Sequence, residues 1–230
     1  MPHKRKDLKI ESQNLWYLVG LITSDGSLSK DGRHIDVTSK DREFLETLVE
    51  KLKIPNKVCI KNKGTNKEAY HIQIANRNFY DFLLSIVLMP NKSLKLGVLD
   101  IPHNFFIDFL RGLIDGDGGM QRWIHHTNRR EQWNLRIASG SERFLIWVKK
   151  EIEHLIGVKG RLYSESETQF RLKYGKMAAR VIAQRSYYEG CFGLQRKITF
   201  ARDCIDSYLG WEKSKTLYVK EPGCRNWQTN

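Results

Sequence analysis

Cysteine is scarce and scattered: Cys59, Cys191, Cys204 and Cys224 are the four in 230 residues, and no two form a C-x-x-C pair. That argues against a zinc site and fits a reduced, intracellular state. Long apolar runs are missing too, since polar residues interrupt each well short of a bilayer span. The opening Met1-Pro-His-Lys-Arg-Lys-Asp7 holds none of the apolar stretch of a secretory signal. These absences point to a protein of a reducing compartment, bacterial cytoplasm or organelle matrix, with no membrane partner. Acids are in deficit: 26 Asp and Glu stand against 39 Lys and Arg, a formal charge of +13. An excess of this size suits a polyanionic partner, although it says nothing about a specific site.

What is present is enough for a large core: 40% apolar residues, with six Trp, nine Tyr and ten Phe. Periodicity divides the chain into 1–89, a connector at 90–103, a second unit at 104–204 and a tail at 205–230. The first unit opens with a helix over about 14–24, capped by Ser12 or Asn14. Two short strands follow around Lys30-Asp31-Gly32. Asp41 then caps a helix whose stripe is Phe44, Leu45, Leu48, Val49 and Leu52. A second hairpin pairs Val58 and Ile60 with Tyr70, Ile72 and Ile74 across a turn at 63–66, and a helix at about 77–88 closes the unit. The second unit repeats this order: a helix at about 104–116, strands near 119–126 and 132–139, a helix started by Ser141, a hairpin at about 158–174 and a helix at about 176–189. The expected fold class is therefore α+β, αββαββα twice, each unit a four-stranded antiparallel sheet with helices on one face and the other face open.

The two units open on nearly the same word. Leu18-Val-Gly-Leu-Ile-Thr-Ser-Asp-Gly26 recurs 92 residues later as Leu110-Arg-Gly-Leu-Ile-Asp-Gly-Asp-Gly118. A single Asp-Gly pair is explained by a helix-ending turn in which the glycine supplies a positive φ. Two copies, each preceded by small residues four apart, ask for more. Gly20 with Ser24, and Gly112 with Gly116, each share a helix face, and small residues at that spacing let two backbones approach closely. Helical glycine costs roughly 1 kcal/mol relative to alanine, so its repetition wants a packing reason. The two helices are expected to pack at a pseudo-twofold axis with Asp25 and Asp117 side by side at their ends. Both acids then sit at negative helix C-termini and repel each other. Divalent cations remove the conflict, and oxygen-only ligation suits Mg²⁺.

The two segments resemble the LAGLIDADG motif of homing endonucleases, in the single-chain form that carries both copies, and the likeness extends from about residue 12 to 205. It implies a monomeric, intron-encoded, site-specific endonuclease that needs no protein partner. Such an enzyme recognises a long asymmetric site in double-stranded DNA and hydrolyses one phosphodiester per strand with Mg²⁺, for which Ca²⁺ or Mn²⁺ substitutes in crystals. By the same resemblance Asp25 and Asp117 bind the metal, with Ser24 and Gly116 beside them, and products carry 5′ phosphates and short 3′ overhangs. Lys92 and Lys197 occupy corresponding places after the third helix of each unit, where relatives set basic residues near the metals; here they would act as catalytic lysines. Thr23 replaces the earlier aspartate of the motif in copy one, and Asp115 keeps it in copy two. Ser39 and Gly140 stand where some relatives carry a glutamine. An intron RNA maturase and a non-catalytic DNA-binding protein are the alternatives on the same scaffold.

Alternation assigns the open sheet faces, which are expected to meet DNA. Unit one places Ser29, His34, Asp36, Thr38, Cys59, Lys61, Lys63, His71 and Gln73 there. Unit two places Gln121, Trp123, His125, Asn134, Arg136, Lys159, Arg161, Tyr163, Arg171 and Lys173 there. Arg, Lys, Gln, Asn and His in a row suit base edges and phosphates, and outward Trp123 and Tyr163 are unusual on a plain solvent face.

Overall fold

Each repeat begins with a helix that is apolar nearly all round, and such a helix has to be covered on every side. The computed structural model, which describes residues 11–61 and 68–207, shows how. Helix α1 (Gln13–Ser24) is buried continuously from Leu15 to Thr23, and α4 (Phe106–Asp117) is buried at Phe106 and from Asp108 to Asp115. The two pack against each other along their length, and each is covered on its other side by its own unit.

In the first unit β1 (Ser27–Leu28), β2 (His34–Ser39), α2 (Arg42–Leu52), β3 (Cys59–Ile60), β4 (Tyr70–Ala75) and α3 (Arg77–Ser85) follow α1. In the second, β5 (Gly118–Ile124), β6 (Glu131–Ser139), α5 (Glu142–Ile156), β7 (Arg161–Ser166), β8 (Gln169–Tyr174) and α6 (Lys176–Ser186) follow α4. Each set of strands forms an antiparallel four-stranded sheet, ordered β1-β2-β4-β3 and β5-β6-β8-β7. Ile35, Val37, Ile72 and Ile74 point into the core from the first sheet; Leu135, Ile137 and Leu172 do so from the second. Full burial of such a side chain contributes roughly 1.5–3 kcal/mol.

Helix starts follow local chemistry. Asp41, Asn76 and Ser141 accept the backbone N–H of Phe44, Phe79 and Phe144, the usual role of short polar caps. Ser12 stands at the start of α1 without a side-chain cap bond.

Three local expectations change. Val58 falls outside the short β3, and the turn at 63–66 lies outside the described residues, as does the tail beyond 207. A further helix, α7 (Gln195–Asp206), follows α6 and crosses the expected boundary at 205. Its buried residues are only Ile198, Ala201 and Cys204, a three-residue spacing among charged neighbours. The connector folds as two single 3-10 turns, Lys92–Leu94 and His103–Phe105. Among the described residues no helix is long and apolar enough to cross a membrane.

Candidate active site

The motif glycines set the distance between α1 and α4. A Cβ on Gly20 would run into the Phe109 carbonyl oxygen and come within 2.8 Å of the Leu113 nitrogen. On Gly112 it would run into the Tyr17 carbonyl oxygen. One turn further on, a Cβ on Gly116 would fall on the Ser24 hydroxyl, with Asp25 Oδ2 only 3.3 Å away. Ser24 turns that hydroxyl into its own helix, donating to the carbonyls of Gly20 and Leu21. Thus the backbones touch along the whole motif, and Asp25 is held against the end of α4.

Gly26 and Gly118 do not serve the positive φ that an Asp-Gly turn suggests; neither is among the residues with positive φ. Their reason is steric. A Cβ on either would lie 2.6 Å from the Cα of Ile22 or Ile114, because the chain folds back against its own helix as it leaves.

Asp25 and Asp117 are open to solvent on the side away from the helices. Partial burial raises both carboxyl pKa values. Asp117 reaches about 6, raised first by desolvation and then by the charge of Asp25. Lys197, Lys92 and Arg196 oppose the rise at Asp25, Lys92 and Lys197 at Asp117. At both acids desolvation outweighs the neighbouring cations, and Asp117 also feels the negative charge of Asp25.

The two lysines lie against the motif ends. Lys92, 7% exposed, donates to the Gly26 carbonyl oxygen at 2.5 Å. Lys197, in the first turn of α7, donates to the carbonyl oxygens of Ile114 and Asp115 at 2.6 Å, Gly118 at 2.9 Å and Gly116 at 3.4 Å. Burial lowers both ammonium pKa values, that of Lys197 to about 8, while the neighbouring aspartates resist. Each ammonium thus occupies the negative end of its own motif helix and feels the carboxylates of both motifs.

Sequence reasoning missed what holds Lys197 in place. Asp115 is 2% exposed and accepts three hydrogen bonds: Tyr17 Oη and Tyr187 Oη at 2.7 Å, and the Leu194 backbone N–H at 2.8 Å. Burial raises its pKa, against those donors and Lys197. Leu194 is the residue that starts α7, so this carboxylate ties α1, α4 and the root of α7 together. Beside it the fully buried Arg111 pairs with Asp108 at 2.8 Å, donates to the carbonyls of Ser186 and Phe192, and lies between the rings of Tyr17 and Tyr188. In copy one, Thr23 merely returns its hydroxyl to the Val19 carbonyl. Only the identity of Asp115 within the motif hinted at this network, because its partners lie 72 to 98 residues away.

Residues 12–87 match the family model of the LAGLIDADG-like domain. No curated protein matches the chain. Among solved structures, the endonuclease I-GzeII in complex with its DNA target superposes with a TM-score of 0.59 at 10% identity, over 88% of this chain and 92% of that one. The endonuclease I-SmaMI bound to cleaved DNA gives 0.58 at 13% identity, over 90% and 92%. Full-length DUF199/WhiA from Thermatoga maritima gives 0.56 at 18% identity over 93% of this chain, which spans only 65% of the WhiA chain. The fold is the LAGLIDADG fold, in the two-motif, single-chain form. Identities this low establish fold alone.

The open faces of the two LAGLIDADG sheets differ. In the first, Asp36 accepts from Gln73 Nε2 at 3.4 Å and stands 3.1 Å from His71 Nδ1, while Lys61 Nζ donates to Thr38 Oγ1 at 2.8 Å. His34 is paired with Asp31 at the hairpin turn, Ser29 gives its carbonyl to Tyr80, and Cys59 stands opposite His71. Lys63 lies outside the described residues. In the second, Gln121, Trp123, Arg161 and Tyr163 are exposed, Arg171 pairs with Glu165 at 2.7 Å, and Arg136 stands opposite Lys173. His125 lies just past the end of β5. Two residues of the row sit differently from the rest. Lys159 precedes β7 and reaches Glu153 of α5 at 3.5 Å, which draws it toward the helical layer. Asn134 shares the face, among Gln121, Trp123, Arg136 and Lys173, but is only 1% exposed.

Proposed function

We propose that the protein is a monomeric, Mg²⁺-dependent endonuclease that recognises a long asymmetric site in double-stranded DNA and hydrolyses one phosphodiester in each strand. The observation that carries this reading is the neighbouring pair Asp25 and Asp117 at touching helix ends, each end backed by a lysine seated on main-chain carbonyls. A merely structural helix junction gains nothing from two repelling carboxylates open to solvent. Solved relatives in the same fold are bound to a DNA target and to cleaved DNA, and the net charge of +13 suits the same partner.

The residues present fit a hard divalent cation. Among the described residues no group of three or more His, Cys, Asp or Glu is placed to hold a metal. The donors are two carboxylates and main-chain oxygens near Ser24 and Gly116, and the charge of Lys92 and Lys197 does not offset the desolvation of Asp117. Magnesium suits such a set because it keeps waters and takes phosphate oxygens as further ligands. Bound there, it supplies an activated water and charge stabilisation at the phosphate. The chain's own residues do the rest. Asp25 and Asp117 fix the position of cleavage to the helix axis. Lys92 and Lys197 offset phosphate charge from fixed seats, so no reorganisation is needed when negative charge builds. Unlike residues on the two sheets impose an asymmetric target.

Incubation with a randomised DNA library and Mg²⁺ tests the proposal. The expected result is release of fragments sharing one non-palindromic sequence, with 5′ phosphates and short 3′ overhangs, and none in EDTA. Specific binding without cutting under every divalent ion would instead establish a non-catalytic binder.

A further inference from the structure

On the open face of the second sheet, Gln121, Arg122, Trp123, Asn134, Arg136 and Lys173 line a pocket of about 370 Å³. At its floor the Asn134 carbonyl oxygen Oδ1 is buried and has no hydrogen-bond partner, and neither has the buried Arg136 Nε two residues along the same strand face. A buried, unpaired polar atom costs roughly 1–3 kcal/mol, so two neighbours left unpaired in one pocket call for a ligand that completes them. The other open-face residues of this sheet differ. Arg171 has an acid partner, while Gln121, Trp123 and Tyr163 are exposed.

The chemistry needed is narrow. Oδ1 wants a donor, the Asn134 amide nitrogen brings two donors of its own, and Arg136 Nε wants an acceptor. A carboxamide meets both demands on the major-groove edge of adenine, with the base N6–H giving to Oδ1 and N7 taking from Nδ2. Cytosine would satisfy Oδ1 and leave Nδ2 idle; guanine and thymine present acceptors where Oδ1 needs a donor. Arg136 and Lys173 line the same pocket and bring positive charge beside it, which suits the phosphates of the strand being read. We infer that Asn134 is a specificity-determining residue that reads one adenine of the target, with Arg136 beside it serving the neighbouring acceptor.

The inference rests on the DNA-binding reading above, and one experiment separates the two. Native chain, Asn134→Leu and Asn134→Ser are each used to enrich bound sequences from a randomised duplex library in calcium buffer, with melting curves recorded alongside. The native chain should enrich a motif in which one position is adenine by tenfold or more over other bases. Both variants should lose that preference and keep every other position. Asn134→Leu should melt no lower than the native chain, because it removes an unpaired buried polar atom, so a folding defect cannot mimic the result. An unchanged motif in both variants, or a motif whose lost position is not adenine, overturns the inference and leaves the DNA reading standing. Enrichment of no motif by the native chain overturns both.

Discussion

Replacing Asp117 by Asn should make the metal-free protein more stable while destroying its activity. A carboxyl pKa raised from 3.8 to about 6 in the folded state means that folding opposes ionisation. The penalty is absent below 3.8, grows between 3.8 and about 6, and is complete above that. At 1.36 kcal/mol per tenfold change, the rise corresponds to about 3 kcal/mol for an enclosed group. Asp117 is open to water on one side, and screening reduces this to about 1 kcal/mol. For a chain of this size that is a gain of about 2–4 °C in Tm. Melting native protein and Asp117→Asn in EDTA at pH 3 and pH 7.5 measures it. The variant should melt higher at pH 7.5 and equally at pH 3, and added Mg²⁺ should raise the native protein alone by mass action. No gain at pH 7.5, or the same gain at both pH values, would refute the electrostatic reasoning.

Other perturbations have equally definite outcomes. Tyr17→Phe removes one of three donors to the buried Asp115 carboxylate and should cost about 1.5–3 kcal/mol in urea denaturation. Gly112→Ala drives a methyl into the Tyr17 carbonyl and should cost about 1–3 kcal/mol or more, with a parallel fall in cleavage as the helices part. Lys197→Met removes a fixed positive charge from the cleavage end and should slow single-turnover cleavage about a hundredfold. The target affinity should stay within severalfold, because the lysine is seated on carbonyls rather than on the sheet face.

The parts of the fold written in local sequence were legible. Asp41 and Ser141 cap the helices they precede, and alternating Ile35, Val37, Ile72 and Ile74 mark the buried side of the first sheet. Helix α7 was not legible, because three small or medium apolar residues among charges give too weak a stripe to stand out. Nor was the depth of Asn134 apparent: alternation assigns a residue to a face but does not say how deeply it is buried there. The Asp25–Asp117 pairing was legible because the motif repeats. The anchoring of Lys197 through Asp115, Tyr17, Tyr187 and Leu194 was not, since it joins residues far apart in the chain. Gly26 and Gly118 show a subtler gap, where the residue type is right for the turn and the reason is packing instead of φ.

The central claim is that Asp25 and Asp117 act together, one motif helix serving each strand. Strand-resolved cleavage of a selected duplex, labelled on either strand, by native protein, Asp25→Asn and Asp117→Asn in Mg²⁺ tests it most directly. Each variant should still bind the duplex but fail to cut at least one strand, and the double variant should cut neither. Normal cutting of both strands by both single variants would contradict the account.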